Sequence, residues 1–512
     1  MLTTFLAFLP SLGCFQSAPD AWQFSVDATS SKPISKYIYG ANFPDWSKID
    51  IPFPLARQGG NRLTAYNWEN NASNAGNDNQ NQSDDYMGAS NEPGWTVRTF
   101  LESAQSHKAA ALLTVACAGY VAADKNGGGD VNKTPDYLNV RFVKSYPKKP
   151  RHFAYPPDTT DHAVYQDEFV HWIETIKSAA TPVWFSLDNE PDIWVSTHAR
   201  IWTRQPGYAD IISIDQQYAA AIKDVAPKTL VFGPANYGWQ GFRTFQNAPD
   251  ANGRDFLDVY LAAMRSAEKN RGHRLLDVLD IHWYPEAQGD GVRIAFGPDK
   301  PGTPAARIQA PRSLWDPTYV ETSWITKSLD GRPINLLPMI QDKIQRFYPG
   351  TKLCISEYNY GGEKVISGAL AQADVLGLFG RYGLFAACNF GIGPNDTGLL
   401  AGFRAFLSFD GHGAKFGDHE LSVQGETASD NSLYAAEDSS NGQRITLVLI
   451  NKTNSAHAAA ISLHGFNATS AKAFVISATE LAHSVAESAA VESGSVNVDL
   501  PAESIVSINV SS

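Results

Sequence analysis

The sequence is poor in cysteine, and its few cysteines follow no pattern. Only four occur among 512 residues, namely Cys14, Cys117, Cys354 and Cys388. Scattered cysteines give neither an even disulfide framework nor the paired spacing of a metal-binding motif. We therefore expect no structural disulfide and no thiol chemistry.

The chain also lacks an excess of positive charge. It has 41 Lys and Arg against 53 Asp and Glu, so its net charge is −12 and its pI is near 5.5. Proteins that bind nucleic acid generally present a basic surface. The balance therefore argues against a nucleic-acid partner and fits a neutral or cationic one.

No segment beyond the first 18 residues is apolar enough, over a sufficient length, to predict a membrane span. Residues 1–18 resemble a secretory signal, but the first basic residue of the chain is Lys32, so the usual basic region is missing and the true translation start is open. Ser11 to Cys14 partly match a lipoprotein box, with Ser11 in place of the usual aliphatic residue. We expect a secreted or cell-surface protein, with Cys14 as the candidate position for a lipid.

Aromatic and apolar residues, by contrast, are plentiful. Hydrophobic residues make up 43% of the chain and aromatic residues 11%, including 12 Trp and 20 Tyr. This length and composition predict one large domain with a smaller one. Aromatic faces stack on the apolar faces of sugars, which suits a carbohydrate groove, although most aromatic side chains fill the core.

The first four-fifths of the chain alternate between strand-like and helix-like segments. The strand-like runs are residues 37–43, 55–64, 111–115, 183–187, 230–232, 278–282, 353–356 and 384–389. Helical patterns between them include residues 165–179, 211–225, 254–265 and 366–382. Eight alternating units predict a TIM-like (β/α)8 barrel over residues 37–402.

The pattern changes after about Gly402. Short alternating strands separated by Asn-, Gly- and Ser-rich turns predict a smaller antiparallel β-sandwich over residues 403–512. A strand-like segment within residues 19–36 is expected to join it. No low-complexity linker separates the two predicted domains, so we expect them to pack against each other.

Two glutamates stand at the polar ends of apolar strands. Glu190 follows the fourth predicted strand and Glu357 follows the seventh. Carboxylates at strand ends face each other across the rim of a parallel barrel. A retaining glycosidase needs such a pair, one to protonate the leaving oxygen and one to attack the anomeric carbon.

Asn189 and Glu190 form an Asn-Glu-Pro triplet, and a second copy of this triplet serves as an internal control. Glu92 lies in the second copy, after Gly88, Ala89 and Ser90 rather than after an apolar strand. We therefore place Glu92 in a surface turn that leads into a helix. Asn189 is expected to donate to the sugar 2-hydroxyl, or else to form a turn.

Long ordered motifs make the sequence similar to a known family. They run from about Tyr39 to the C-terminus, and they include residues 59–76, 164–170, 232–234, 310–320, 403–404, 415–418 and 433–436. In these motifs the chain resembles glycoside hydrolase family 44. The resemblance implies a TIM-like barrel with a β-sandwich, retaining endo-β-1,4-glucanase activity, and acceptance of xyloglucan by several members. It also implies that Glu190 is the acid/base and Glu357 the nucleophile.

Alternatives stay open at this point. Another β-1,4-glycanase specificity, such as mannan, fits the same motifs. A carbohydrate-binding protein without catalysis is a different class, but it would have no need for both Glu190 and Glu357.

Further residues near the strand ends are candidates for substrate binding. They are Arg57, Asn61, Arg62, Trp68, Tyr237, Trp239, His282, Tyr284, Tyr358 and Phe390. A Tyr hydroxyl near Glu357 would stabilise its ionised form. Trp68 is the first choice for a stacking platform, with core packing as the alternative. Many related barrels have a Trp at the end of the eighth strand, where this chain has Phe390.

The predicted chemistry requires no cofactor. The family resemblance allows a structural calcium ion, for which the candidate oxygen ligands are Glu69, Asp158, Asp161, Asp167 and Glu168. None of them forms an EF-hand-like loop, so a solvated acidic surface is the alternative. We expect a monomer whose partner is a polysaccharide.

Overall fold

The protein has two domains. Parallel strands form a barrel in the first, and mostly antiparallel strands form a sheet in the second. The structure is a computed structural model and describes residues 21–492 and 494–512. The predicted signal segment and Cys14 lie outside the described residues. Among those described, Cys117, Cys354 and Cys388 are free and buried, as expected.

Within the described part of the chain, eight parallel strands close into a barrel, each pairing with its neighbour in sequence. They are β1 (Gly40–Asn42), β2 (Leu55–Gln58), β3 (Ala110–Val115), β4 (Val183–Leu187), β5 (Val231–Asn236), β6 (Val278–Trp283), β7 (Lys352–Tyr358) and β8 (Ala386–Asn389). The predicted (β/α)8 barrel is therefore confirmed. Two predicted strands are shorter than expected, because Lys36–Tyr39 is a 3-10 helix capped by Ser35 and Asn61–Thr64 is helical.

Helices surround the barrel, and each of β2 to β8 is followed by at least one. Those of the described residues are α1 (Asn61–Thr64), α2 (Trp95–Ser106), α3 (Tyr137–Val140), α4 (Gln166–Ile176), α5 (Trp194–Thr197), α6 (Tyr208–Val225), α7 (Trp239–Thr244), α8 (Phe256–Arg271), α9 (Thr303–Gln309), α10 (Trp324–Ser328), α11 (Leu336–Phe347), α12 (Ile366–Arg381) and α13 (Thr397–Leu407). The four helices predicted from periodicity correspond to α4, α6, α8 and α12. None of the described helices is long and apolar enough to cross a membrane.

The loops at the C-terminal ends of the barrel strands contain short 3-10 helices and small β-sheets. The further 3-10 helices are Gly76–Asn79, Val131–Lys133, Pro191–Ile193 and Ala310–Leu314. Small sheets are formed by Tyr66–Asn67, Ala72–Asn74 and Ser83–Asp84, by Tyr120–Ala122, Phe142–Tyr146 and Ala163–Tyr165, and by Gln288–Gly289 and Val292–Arg293. Long loops after β2, β3 and β6 therefore shape the rim of the barrel.

The interior of the barrel is apolar at one end and polar at the other. Leu112, Trp184 and Phe232 pack inside near the N-terminal ends of the strands, where the ring of Tyr37 meets Trp184 edge-on at 4.8 Å. Strands that are covered on both faces read as nearly continuous apolar runs, which is why the sequence revealed them. The polar inward-facing residues collect at the C-terminal ends, where the site lies.

Bulges in β5 and β7 flank β6 near the site. In β7 the register with β6 shifts after the Ile281–Ile355 pair, so that His282 pairs with Glu357 and Ser356 is the extra residue. A bulge reverses the alternation of side chains beyond it. Glu357 therefore points into the barrel beside His282, and its neighbour Tyr358 points outward.

The second domain is a sheet closed on itself in the described residues. Its strands are Trp22–Pro33, His419–Gln424, Asn431–Asp438, Asn441–Asn451, His457–His464, Ser470–Ser477, Glu480–Glu492, Ser495–Leu500 and Ser504–Ser511. All neighbours are antiparallel except Trp22–Pro33 and His457–His464, which run parallel. The predicted antiparallel domain is confirmed, including the strand contributed by the N-terminal part of the chain.

The two domains pack directly, as the absence of a linker predicted. The buried ion pair between Lys452 of the sheet and Asp374 of α12 measures 2.8 Å, and Tyr434 donates to the same carboxylate at 2.6 Å. Arg381 of α12 pairs with Glu426 at 3.1 Å. The domain boundaries at residues 37, 402 and 403 stay predictions.

Candidate active site

Glu190 and Glu357 lie at the same end of the barrel, on the fourth and seventh strands. Each of Glu190, His282 and Glu357 places a side-chain atom within 4.8 Å of those of the other two. Retaining glycosidases separate their carboxyl groups by about 5 Å, and inverting ones by roughly 6.5 Å or more. The pair therefore has the retaining spacing that the sequence predicted.

Both oxygens of Glu357 are held by donors. Arg57 donates to Oε1 at 2.6 Å, and the Tyr284 hydroxyl donates to Oε2 at 2.6 Å. His282 Nδ1 lies 3.5 Å from Oε2. These contacts fix the carboxylate in one orientation and stabilise its ionised form.

Arg57 links the nucleophile candidate to Asn189. The guanidinium is completely buried and also donates to Asn42 at 2.9 Å and to Asn189 Oδ1 at 2.8 Å. The backbone N–H of Gly60 donates to the same Asn189 oxygen at 3.2 Å. With its oxygen engaged, Asn189 has its Nδ2 group left to donate to a sugar hydroxyl.

Glu190 has fewer polar contacts than Glu357. Its Oε1 lies 2.8 Å from His282 Nδ1, and its backbone N–H donates to the Ala235 carbonyl at 2.9 Å. The residue adopts a left-handed backbone conformation, with φ of 46°. Such a conformation is uncommon for a residue other than Gly and is found at functional sites that hold it in place.

The surroundings push the pKa values of the two carboxyls apart. Burial, reinforced by the negative charge of Glu357, raises the pKa of Glu190 well above its ordinary value. Burial also acts to raise the pKa of Glu357, but His282, Arg57 and Tyr284 outweigh it and lower that pKa. Burial lowers the pKa of His282, against the opposing charge of Glu357. The site therefore holds a protonated acid beside an ionised carboxylate.

The pair opens into a cavity of about 340 Å³. Its lining residues are Gly60, Asn61, Asp78, Asn189, Glu190, Tyr237, Tyr284, Arg293, Phe296, Glu357 and Phe390. The candidates Asn61, Tyr237 and Phe390 are thus located at the site. Asp78, Arg293 and Phe296 were not predicted, because they lie in the long segments after β2 and β6 rather than at the end of a barrel strand.

A second cavity continues from the first along the loops after β5 and β6. It measures about 230 Å³ and shares Tyr237, Tyr284 and Arg293 with the first cavity. Trp239, predicted as a rim residue, lines it but is only 7% exposed, whereas Trp324 is 38% exposed. Trp324 is therefore the better-placed stacking surface, and it was not predicted because it does not follow a barrel strand.

The prediction that Trp68 stacks on substrate is wrong. Its ring is 1% exposed and packs against Phe169 and Trp172 of α4, each 5.8 Å away between ring centroids. Its indole N–H donates to the Tyr165 carbonyl at 3.3 Å. Trp68 is a core residue that anchors the loop after β2.

The expectation for Tyr358 is also wrong. Its hydroxyl bonds with Gln372 Nε2 at 2.8 Å on the helix side of β7, because the bulge at Ser356 turns it away from the cavity. The tyrosine hydroxyl that donates a hydrogen bond to Glu357 belongs to Tyr284 instead. Arg62, a substrate-binding candidate, instead pairs with Asp84 and lies over the ring of Tyr86, so it holds the loop after β2.

The control glutamate behaves as expected. The Glu92 side chain is 44% exposed and pairs with Arg98, and α2 begins at Trp95 shortly after it. It is remote from strand ends, so its triplet lacks the context that makes Glu190 buried.

Among the acidic residues named as calcium ligands, two are already occupied. Both oxygens of Glu168 accept from Lys149 at 2.7 Å, and one also accepts from the Ala154 backbone N–H. Asp167 accepts from backbone N–H groups. Glu69 differs, because its Oε1 is buried without a hydrogen-bond partner among the described residues. Burial and the nearby charges of Asp161 and Glu168 raise the pKa of Glu69 to about 8. Glu69 is therefore the candidate with an unpartnered buried oxygen, and Asp161 and Asp158 are nearby acidic groups whose charges also raise its pKa.

A parallel barrel that holds a close pair of carboxyls with opposed pKa shifts has the site of a glycoside hydrolase. Comparison with known proteins agrees, since the sequence model of glycoside hydrolase family 44 matches residues 72–287. Endoglucanase A of Paenibacillus lautus is 39% identical over 451 residues, which cover 84% of this chain and 63% of that protein. The chain thus spans less than two thirds of the length of this relative.

Solved structures match over nearly the whole chain. Cel44A, a family 44 endoglucanase from Clostridium thermocellum, has a TM-score of 0.90 at 37% identity, with 96% of this chain and 99% of that chain covered. A Paenibacillus polymyxa xyloglucanase of family 44, solved with xyloglucan, has a TM-score of 0.90 at 34% identity and the same coverage. The chain belongs to glycoside hydrolase family 44.

Proposed function

We propose that the protein is a retaining endo-β-1,4-glucanase that cleaves glucan backbones, including that of xyloglucan. The observation that carries the proposal is the pair Glu190 and Glu357, which lie within 4.8 Å of each other with opposed pKa shifts. Membership of family 44 and the resemblance to endoglucanases and a xyloglucanase support the substrate class.

In the first step, Glu357 attacks the anomeric carbon and forms a covalent glycosyl ester. The bond to the glycosidic oxygen breaks, and Glu190 transfers its proton to that oxygen. His282 Nδ1 lies 2.8 Å from Oε1 of Glu190 and so orients the carboxyl that gives up the proton. Arg57 and Tyr284 hold the attacking carboxylate in line.

In the second step, Glu190 is ionised and acts as a base. It takes a proton from water while the water oxygen attacks the anomeric carbon and Glu357 departs as a carboxylate. The proton that Glu190 lost in the first step is thereby restored. The sugar keeps its β configuration because the anomeric carbon is inverted twice.

Asn189 supports the transition state from the side of the ring. Its oxygen is held by Arg57 and Gly60, which orients the amide nitrogen toward the cavity that the sugar would occupy. A hydrogen bond to the 2-hydroxyl strengthens as positive charge develops on the ring.

An endo-acting enzyme needs a groove that extends beyond the reacting sugar. The two adjoining cavities provide aromatic surfaces along it, with Phe390 near the pair and Trp324 at the far end. Hydrolysis of soluble β-glycans by the purified protein tests this proposal. Viscosity should fall much faster than reducing ends accumulate; early dominance of one small product would contradict endo action. A preference for mannan would replace the substrate class.

A catalytic metal ion is disfavoured at the same three side chains. A cation at Glu190, His282 and Glu357 would have to displace the Arg57 guanidinium or the Tyr284 hydroxyl from Glu357. A cation and the Arg57 guanidinium would repel each other strongly at so short a distance, because the site is buried. A binding protein without catalysis would likewise gain nothing from a buried carboxyl pair that costs stability.

We also propose that Glu69, Asp158 and Asp161 hold a calcium ion. When bound, calcium would join these carboxylates by oxygen coordination and so stabilise the loops after β2 and β3. Chelation should then lower the melting temperature of the wild-type protein but not that of Glu69→Gln. Equal melting temperatures with calcium and with chelator would refute this site.

Export and a monomeric state complete the proposal. Export rests on the signal-like composition of residues 1–18, and lipidation on the position of Cys14. Expression in a host that exports the protein, with labelling by a radioactive fatty acid, tests both, and a Cys14→Ala variant is the control. Size-exclusion chromatography with light scattering tests the monomer.

A further inference from the structure

A third buried carboxylate, Asp188, precedes Asn189 and Glu190 and touches neither the cavity nor the reacting groups. We propose that Asp188 is a positioning residue that fixes the acid/base Glu190 by fastening the ends of β2, β3 and β4 together. This inference rests on the proposed function, because it assigns Asp188 a part in proton donation by Glu190.

The Asp188 carboxylate receives donors from three neighbouring segments. Its Oδ1 accepts from the Thr64 hydroxyl at 2.5 Å and from the Asn189 backbone N–H at 2.8 Å. Its Oδ2 accepts from the Cys117 backbone N–H at 2.5 Å. Thr64 ends α1 after β2, Cys117 follows β3, and Asp188 itself follows β4.

The environment of Asp188 suits a carboxylate and no other common side chain. Every group just named is a donor, and the backbone N–H of Ala118 adds to them. An amide in its place would turn an NH₂ group toward backbone N–H groups, and a buried donor without an acceptor is costly. Asp188 is buried, and its backbone has φ of 62°, which the carboxylate's bond to the next N–H helps to hold.

Asp188 bears more on Glu190 than on Asn189. The Asn189 side chain is held independently by Arg57 and Gly60. Among the described residues the Glu190 side chain has one hydrogen-bond partner, His282, so its direction depends mainly on the course of its backbone. That backbone is fastened by Asp188 on the β3 side and by Ala235 on the β5 side.

A series of aryl β-cello-oligosides with leaving groups of graded acidity separates this role from a merely structural one. An activated aryl group leaves without a proton, whereas a poor one needs Glu190. For Asp188→Asn we expect kcat/KM to fall by about 100-fold with poor leaving groups, the loss expected when a catalytic group moves by about 1 Å. With dinitrophenyl kcat/KM should fall less than about fivefold, because the first step then needs no proton. The values of kcat and KM should fall together, because hydrolysis of the intermediate still needs Glu190 as the base.

Three variants complete the test. Thr64→Val removes one donor to Asp188 without altering the charge of Asp188. It should show the same leaving-group dependence, with a smaller loss in kcat/KM. This variant replaces Asp188→Asn in the test if Asp188→Asn does not fold. Asp374→Asn is the matched control, because Asp374 is buried and accepts the Tyr434 hydroxyl at 2.6 Å where α12 packs against the second domain. It should lower stability without any leaving-group dependence.

The outcomes distinguish failure of the proposed acid role of Glu190 from failure of the positioning role of Asp188. Glu190→Ala must show strong leaving-group dependence; if it does not, the proposed function fails first. If Glu190→Ala shows it while Asp188→Asn and Thr64→Val lose activity equally with all leaving groups, or not at all, then the positioning role of Asp188 is refuted.

Discussion

The surroundings of Glu357 and Glu190 differ although the two side chains are the same and lie within 4.8 Å of each other. Glu357 accepts bonds from Arg57 and Tyr284 and lies beside His282, whereas the Glu190 side chain has His282 as its one partner in the part of the chain that the structure describes. The first carboxyl is therefore held ionised, and the second is held protonated. Chemical role follows from the number and charge of the donors, not from residue type.

The difference originates in the strands that carry the two residues. Glu357 is turned into the barrel by the bulge at Ser356, whose freed N–H donates to Asp280 at 3.1 Å. There it faces Arg57 of β2 and Tyr284 at the end of β6. Glu190 leaves β4 through a left-handed turn and faces the ring of His282. The following predictions test this contrast, beginning with the largest effect.

Removal of the ionised carboxylate should have the largest effect. For Glu357→Ala we expect kcat to fall by roughly 10⁶-fold, because no group remains to form the covalent intermediate. Hydrolysis rates on a soluble β-glucan measure the loss. Activity close to that of the wild type would show that Glu357 is not the nucleophile.

Removal of the protonated carboxyl should cost less and depend on the leaving group. For Glu190→Ala we expect a loss of about 10²–10⁴-fold on the polymer, the usual contribution of general acid catalysis. Added azide should restore part of the rate and yield a β-glycosyl azide. Glu92→Ala is the matched control and should stay within a few-fold of the wild type; a large loss there would mean that the wrong Asn-Glu-Pro triplet was chosen.

Loss of the Tyr284 hydroxyl should make the surroundings of Glu357 more like those of Glu190, which has fewer donors. Tyr284→Phe removes a donor to Glu357, so the pKa of Glu357 should rise toward its ordinary value. Since Glu357 must be ionised to attack, the acid limb of the kcat/KM profile should move to higher pH. The alkaline limb, which reflects loss of the Glu190 proton, should move much less. An unchanged acid limb would argue that Tyr284 does not stabilise the carboxylate.

The smallest effect should come from the far end of the groove. Trp324→Ala removes an exposed stacking face and should cost roughly 1–3 kcal/mol of binding on short oligosaccharides, by analogy with aromatic stacking on nucleobases. A polymer should compensate through other contacts. Trp68→Ala is the contrast, since loss of a buried Trp should lower the free energy of unfolding by about 3–5 kcal/mol. Equal effects of both variants on binding would contradict the placement of Trp68 in the core.

The barrel and the carboxyl pair could be predicted from the sequence because their signals are local. Each strand is a short apolar run, and Glu190 and Glu357 follow such runs directly. The bulge at Ser356 has no comparable signal, since it arises from pairing with β6, and for this reason Tyr358 was placed on the wrong side.

Residues brought in by long loops could not be predicted. Asp78 and Phe296 reach the cavity from loops whose paths depend on tertiary contacts. Trp68 was wrongly predicted to bind substrate, because the sequence around a tryptophan does not show whether its ring contacts substrate or packs in the core. In the structure the ring packs against Trp172 and Phe169 of α4. Burial decides between the two, and burial is a property of the folded chain.

The central claim is that Glu357 forms a covalent bond to the sugar while Glu190 supplies the proton. Incubation with a 2-deoxy-2-fluoro cello-oligosyl donor carrying a dinitrophenyl leaving group slows both steps and allows the intermediate to accumulate. Peptide mapping by mass spectrometry then locates the label. The account predicts one fluorosugar per chain, attached to Glu357; attachment to Glu190, or steady turnover to the α anomer without any label, would contradict it.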